Sequence, residues 1–176
     1  GFANNYKLKA MANVAWQWTR TLHNQCALTL APSSQTLAEL EEHGIRNIHH
    51  WGRGVDTERF HPSNRSEKLR ETWLREGERL RREHGQTSNI PVMERRVVGF
   101  VGRLAAEKSV IRMAALNDRD DVQLVIVGDG PEMAELKEAM PTAIFTGGQY
   151  GSDLPKAFAS LDVFVHTGQF ETFCQA

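Results

Sequence analysis

The chain has 176 residues, enough for one ordinary domain with a packed core or for one domain with part of a second. Its 21 Lys and Arg stand against 22 Asp and Glu, a formal net charge of −1, so no global field draws it to nucleic acid and any affinity for anions has to come from a local cluster. Two cysteines, Cys26 and Cys174, exclude a disulfide framework, and nothing around them has the spacing of a zinc site. A reducing, cytoplasmic compartment is the default expectation. No apolar run reaches the ~18 residues of a membrane-spanning helix, and the start lacks the basic-then-apolar pattern of a signal peptide. With Gly1 in place of a starting Met and an end at Cys174-Gln175-Ala176, both termini are expected to be cuts in a longer protein.

From Tyr6 to Gln25, Leu8, Met11, Ala12, Ala15, Trp16, Thr19 and Leu22 recur at three- and four-residue steps, which predicts an amphipathic helix with one buried face. Residues 27–31 form a short apolar run suited to a strand. Pro32-Ser33-Ser34 breaks it and supplies a serine cap for a helix over Gln35–His43, with Gly44 as its stop. Residues 47–51 read as a second short strand and Gly52 to Asp56 as a tight turn. Ser66 to His84 is densely charged with an apolar stripe at Leu69, Trp73, Leu74 and Leu80. Its basic blocks could meet an anionic surface, but a solvated helix face with opposite charges side by side is the better expectation.

A strict alternation follows. Strands are predicted over 97–101, 123–127, 143–145 and 163–165, and helices over 109–116, 131–140 and 154–160. The strands are continuous apolar runs, as expected where helices cover both faces of a sheet. A βαβαβαβ series with short connections implies a parallel, right-handed, doubly wound α/β sheet, which binds ligands at the carboxyl ends of its strands. Every motif considered next follows a strand.

Arg103 and Lys108 come just after the first of these strands, in Gly102-Arg103-Leu104-Ala105-Ala106-Glu107-Lys108. Two cations beside a helix starting near Ser109 would make an anion site suited to a diphosphate, although a basic pair in a loop is on its own more often simply solvated. Val127-Gly128-Asp129-Gly130-Pro131 places two glycines after a strand, where a backbone can approach a ligand closely, and Pro131 fits a first helical position. It is not a GxGxxG fingerprint, and alone it reads as a turn. Phe145-Thr146-Gly147-Gly148 has the same weak reading. Glu171 lies beyond the last strand, where a carboxylate could accept sugar hydroxyls or cap a helix. His166 is more often a satisfied structural group, and Cys174 has no histidine partner for nucleophilic work.

Taken in order, Ala31-Pro32-Ser33-Ser34, Gly54-Val55-Asp56 with Phe60 and Pro62, Gly102-Arg103-Leu104 with Glu107-Lys108, Val127 to Pro131, Phe145-Thr146-Gly147 and Glu171-Thr172-Phe173 resemble the retaining glycosyltransferases of family 4. Each motif is weak alone and the ordered set is specific. The resemblance implies the GT-B architecture of two Rossmann-like domains. Residues 1–56 would be the closing part of the acceptor-side domain with its linker, and residues 57–176 the donor-binding domain, truncated at its C-terminus. Glu107-Lys108-Ser109-Val110 and Phe145 to Gly148 look like the branch that glycosylates membrane lipids. His166-Thr167-Gly168 with Glu171 to Gln175 looks like its GDP-mannose-dependent mannosyltransferases, though many members have Pro-Ser where His166-Thr167 stands.

The same resemblance implies roles. Arg103 and Lys108 would hold the donor diphosphate and stabilise it as it leaves, with Gly102 in the same loop. Glu171 would hold hydroxyls of the donor sugar, the loop of Thr172, Phe173 and Cys174 would wrap sugar and phosphates, and Gly128 and Gly130 would form the nucleotide-side wall. A second, ribose-gripping glutamate would fall beyond Ala176. The expected partners are a nucleotide-sugar donor and a lipid-linked or glycan acceptor, with peripheral contact at the inner face of a membrane and no nucleic acid. No cofactor and no metal is expected. A UDP-sugar-dependent glycolipid glycosyltransferase, a sugar-nucleotide epimerase of the same fold and a non-catalytic nucleotide-binding module remain as alternatives. The chain by itself is expected to be inert.

Overall fold

The computed structural model describes the backbone of residues 2–52 and 54–168, and side chains from Met11 onward in that range. The chain divides into two compact units, one ending at Gly54 and one beginning at Val55, each with its own parallel sheet.

In the first unit, helix α1 (Phe2–His23) leads to strand β1 (Thr29–Ala31), helix α2 (Ser34–Glu42) and strand β2 (Ile48–His50). β1 and β2 pair in parallel with Leu30 opposite His49, so α2 is their crossover. The cap expected from the sequence forms: Ser33 Oγ accepts the Thr36 amide at 3.1 Å. Asn24 pins the end of α1 to the turn after α2, donating from Nδ2 to the Gly44 carbonyl at 3.1 Å and accepting the Arg46 amide on Oδ1 at 2.8 Å. From Met11 onward, the apolar face expected on α1 is present but not buried. Met11 is 70% exposed and Leu22 52%, while Trp16 is half-covered, stacking on His43 with ring centroids 3.6 Å apart. A two-stranded sheet is too narrow to cover the stripe of a 22-residue helix. Among the described residues no helix is long and apolar enough to cross a membrane.

The second unit contains helix α3 (Glu67–Glu83), strand β3 (Arg96–Val101), strand β4 (Val122–Val127), helix α4 (Met133–Ala139), strand β5 (Ile144–Gly147), helix α5 (Asp153–Ser160) and strand β6 (Val163–Phe164). All four strands are parallel, in the order β5-β4-β3-β6. The chain therefore winds outward from β3 through β4 to β5 and then returns to the other side of β3. The topological switch point lies between β3 and β6, where open α/β sheets hold their ligands.

The pleat sorts the strand residues onto two cores. Val97, Val101, Val125 and Val127 pack with Trp73 and Leu74 of α3 and Ala157 of α5; Val98, Phe100, Leu124 and Ile126 pack with Leu136 of α4, Val110 and Met113. With both faces covered, all six residues of β4 are buried. The outer side of α3 is the solvated face expected of its charges, with Arg75 on Glu71 at 2.7 Å, Arg82 on Glu78 at 2.8 Å, and Arg79 reaching both Glu76 and Glu83. Arg81 departs from that reading. It is 2% exposed and donates to the carbonyls of Arg119 and Val122 at 3.0 and 2.7 Å, closing the turn before β4.

Two helix assignments change. Residues 109–116 do not form an α-helix: two 3-10 segments, Ala106–Lys108 and Val110–Leu116, are separated by Ser109 in the left-handed region at φ 50°. The β-branched pair Val110-Ile111 follows that break, and 3-10 bonds such as Arg112 N to Ser109 O at 3.1 Å take over. Pro131 lies in the turn ahead of α4, which begins at Met133.

One carboxylate organises the start of β6. Asp162 Oδ2 accepts the Val97 amide at 2.8 Å and Arg70 Nη2 at 3.1 Å, and its Oδ1 accepts Arg65 Nη2 at 2.9 Å. Burial works to raise its pKa, but the Val97 amide and then the two guanidiniums outweigh that and hold the carboxyl below its usual range. A depressed folded-state pKa contributes stability that is complete above the unfolded value of about 3.9 and is lost as pH falls through the folded value. Asp162→Ala is therefore expected to cost about 3 kcal/mol at pH 7, because it removes the carboxylate paired with Arg70, whose side chain is 12% exposed and keeps only its bond to the Arg95 carbonyl at 2.8 Å and a longer one to that of Met93. The cost should shrink below about pH 4. Urea melts of wild type and variant across pH 3–7 check this, and a cost independent of pH would contradict it.

Candidate functional site

The loops after the parallel strands are joined by backbone bonds along the carboxyl edge of the sheet. The Gly102 amide donates to Val127 O at 2.9 Å, the Gly128 amide to Gly147 O at 2.9 Å, and the Val165 amide to Gly99 O at 2.8 Å. The loop after β3 is also stitched to the loop after β4, by the Leu104 amide to Asp129 O at 2.9 Å and the Glu132 amide to Leu104 O at 3.1 Å. Arg103 thus sits between two residues whose amides are anchored on the end of β4 and on the loop that follows it. Its side chain is exposed, while Lys108 is half-buried.

The glycines of Gly128-Asp129-Gly130 face this same chain. A Cβ on Gly128 would lie 1.8 Å from the Gly102 carbonyl oxygen, and one on Gly130 would lie 2.2 Å from the Leu104 carbonyl oxygen. Gly128 also has φ +143°, which side chains rarely adopt. The close backbone approach expected of these glycines is thus made first to the basic loop, which they hold in place. Asp129 closes its own turn by accepting the Gly130 amide on Oδ1 at 2.7 Å.

Lys108 ends the Ala106–Lys108 turn, and its amide donates to Ala105 O at 2.8 Å. Its carbonyl accepts the Thr167 hydroxyl at 2.6 Å. That bond spans the switch point, because Lys108 follows β3 and Thr167 follows β6. It brings the basic loop to the segment that leads, four residues on, to Glu171. The helix N-terminus expected to reinforce the cations is absent, since Ser109 interrupts a 3-10 turn there; the positive potential of the loop comes from its side chains. Glu171, Thr172, Phe173 and Cys174 lie outside the described residues. Gly102, Arg103, Lys108, Gly128, Gly130 and the half-buried His166 share the carboxyl edge of the sheet.

Thr167 was not distinguishable in the sequence as a residue that holds Lys108. The contact joins positions 59 apart and depends on β6 returning beside β3, for which no local signal exists. A separate groove of about 390 Å³, lined by Glu76, Leu80, Lys137, Met140, Pro141, Ala143, Ile144 and Phe145, lies by the start of β5 and shares no residue with these loops.

Comparison with known proteins adds three observations. Residues 2–59 match the model described as Glycosyltransferase Family 4, and residues 95–176 the model described as Glycosyl transferases group 1. All 176 residues align at 51% identity with a GDP-mannose-dependent alpha-mannosyltransferase of Corynebacterium glutamicum, and 99% of the chain aligns at 48% with one of Mycobacterium tuberculosis. The chain spans 39% and 42% of the length of these two relatives. It is also 32% identical over 174 residues to a sulfoquinovosyl transferase of Arabidopsis thaliana, covering 31% of that protein. Among solved structures, Anabaena HepE in complex with UDP and glucose superposes with a TM-score of 0.63 at 22% identity, over 93% of this chain and 44% of that one. WaaG, a glycosyltransferase involved in lipopolysaccharide biosynthesis, superposes with a TM-score of 0.56 at 17% identity, over 81% and 38%.

Proposed function

The chain belongs to the family 4 and group 1 glycosyltransferases of GT-B fold, and from that premise we propose that the full-length protein is a retaining, GDP-mannose-dependent α-mannosyltransferase. The observation that carries the reading is 51% identity along the whole chain to a relative of that activity, with the basic loop and the loop after β6 meeting at the switch point of the sheet.

The mechanism follows from charge. Breaking the bond between mannose and the diphosphate builds negative charge on the leaving oxygen and positive charge on the sugar. In the proposal Arg103 and Lys108 face that leaving diphosphate. Fixed cations stabilise the charge most where it is largest, in the transition state, without having to reorient. Gly102, Gly128 and Gly130 keep the loop fixed, and close packing at Gly128 and Gly130 makes it stiff. Glu171 is proposed to hold sugar hydroxyls, and Thr172, Phe173 and Cys174 to wrap the donor. The diphosphate charge is assigned to side chains, with no resident metal or cofactor. The acceptor is proposed to be a lipid-linked or glycan hydroxyl reached from the cytoplasmic side, with peripheral contact at the membrane.

Donor choice is tested by saturation-transfer NMR and turnover of the full-length protein with GDP-mannose and UDP-glucose. The expected preference for GDP-mannose is ten-fold or more, about 1.4 kcal/mol. Equal handling of the two donors would defeat the mannose assignment and favour a UDP-sugar enzyme. A rearranged free sugar nucleotide among the products would point to an epimerase instead.

A further inference from the structure

We infer that Thr167 is a positioning residue for the transfer reaction, holding Lys108 at the switch point through its backbone; this rests on the proposed function. The basic loop reaches a break in its backbone at this end. Its 3-10 turn closes at Lys108, and Ser109 then enters the left-handed region, so the turn does not run on into a helix that would hold the lysine. A carbonyl at such a break needs a partner from elsewhere. The Thr167 hydroxyl supplies it at 2.6 Å, in a partly buried contact across 59 residues.

The donor in this bond is itself well anchored. Two residues before Thr167, the Val165 amide donates to Gly99 O at 2.8 Å, and β6 pairs with β3 at Val98↔Val163 and Gly99↔Phe164. The hydroxyl is therefore carried two residues beyond backbone bonded to β3, and the lysine carbonyl on a 3-10 turn, so the bond ties the segments after β3 and β6 together. The Thr167 side chain has a single O–H, and it is spent on the Lys108 carbonyl.

Removing the hydroxyl while keeping the shape should loosen Lys108 where leaving-group charge develops, so the loss should appear in kcat more than in KM. In the full-length protein, Thr167→Val is expected to lower kcat by about ten-fold with KM for GDP-mannose changed by less than about two-fold. Thr167→Ser, which retains the donor, should stay within about two-fold of wild type. In a Lys108→Ala background, Thr167→Val should cost less than about two-fold more, because the residue acts through the lysine already removed. Wild-type kcat in Thr167→Val, a Thr167→Ser variant as slow as Thr167→Val, or losses that multiply in the double variant would each overturn the inference. Failure of wild type to use GDP-mannose would instead defeat the proposed function. The same cycle is then read on the binding of inorganic pyrophosphate, where non-additive weakening supports the role of Thr167 and additive weakening removes it.

Discussion

Gly128→Ala should destabilise the second unit by more than about 4 kcal/mol, at the upper end of what single substitutions do. The methyl would lie 1.8 Å from the Gly102 carbonyl oxygen and 2.9 Å from its carbon, and the atoms that would have to yield are backbone. At φ +143° an alanine is strained before any contact is counted. Relief requires parting the ends of β3 and β4, which breaks the hydrogen bond from the Gly102 amide to the Val127 carbonyl and strains that from the Gly128 amide to the Gly147 carbonyl. Sheet closure and placement of the basic loop thus depend on one missing methyl group. Hydrogen exchange of the β3 and β4 amides, with a thermal melt of the full-length protein, measures the effect. Near-wild-type protection in the variant would mean that the two loops do not approach as described.

The second large effect is on chemistry. Lys108→Ala and Arg103→Ala in the full-length protein are each expected to lower the proposed mannosyl transfer ten-fold or more, about 1.4 kcal/mol or above. Removing one preorganised group aimed at developing charge typically costs about 2.7–4 kcal/mol. Arg103 is exposed, and its charge is shared with solvent, so it should fall toward the lower bound; Lys108 is half-buried and tied to Thr167, which places it higher. Melting temperatures should barely move, since neither side chain belongs to the two cores. Steady-state kinetics on both variants decide the matter, and unchanged kinetics in both would remove the assigned role.

Much of this architecture was legible in the residues themselves. The unbroken runs at 97–101 and 123–127 marked strands covered on both faces, and their alternation with helical segments implied the parallel, doubly wound sheet that forms. The serine after Pro32 marked a helix start because a hydroxyl beside an orphan amide is a local interaction, and Ser33 makes that bond. What escaped was non-local or depended on context. Residues 109–116 have helical composition, yet the left-handed turn at Ser109 tightens them into a 3-10 segment. Arg81 has the same local surroundings as its exposed neighbours, and only the fold of α3 over the turn before β4 buries it. The anchoring role of Asp162 requires Arg65, Arg70 and Val97 to converge from three segments.

The candidate site divides in the same way. Arg103 and Lys108 could be placed beyond a strand end in a doubly wound fold, but their spacing alone reads as a solvated pair, and the diphosphate role came from the family resemblance. That Gly128 and Gly130 serve this loop by close packing, and that Thr167 holds it from β6, depends on the strand order β5-β4-β3-β6 and on distances that no local pattern encodes.

The central claim is that Arg103 and Lys108 grip the pyrophosphate of a nucleotide sugar. Calorimetric titration of the full-length protein with GDP and with guanosine, repeated on the Arg103→Ala/Lys108→Ala double variant, tests it most directly. Wild type should bind GDP at least about a hundred-fold more tightly than guanosine, ~2.7 kcal/mol, and the double variant should lose most of that difference. A double variant that still separates GDP from guanosine as well as wild type does would show that the diphosphate is held elsewhere.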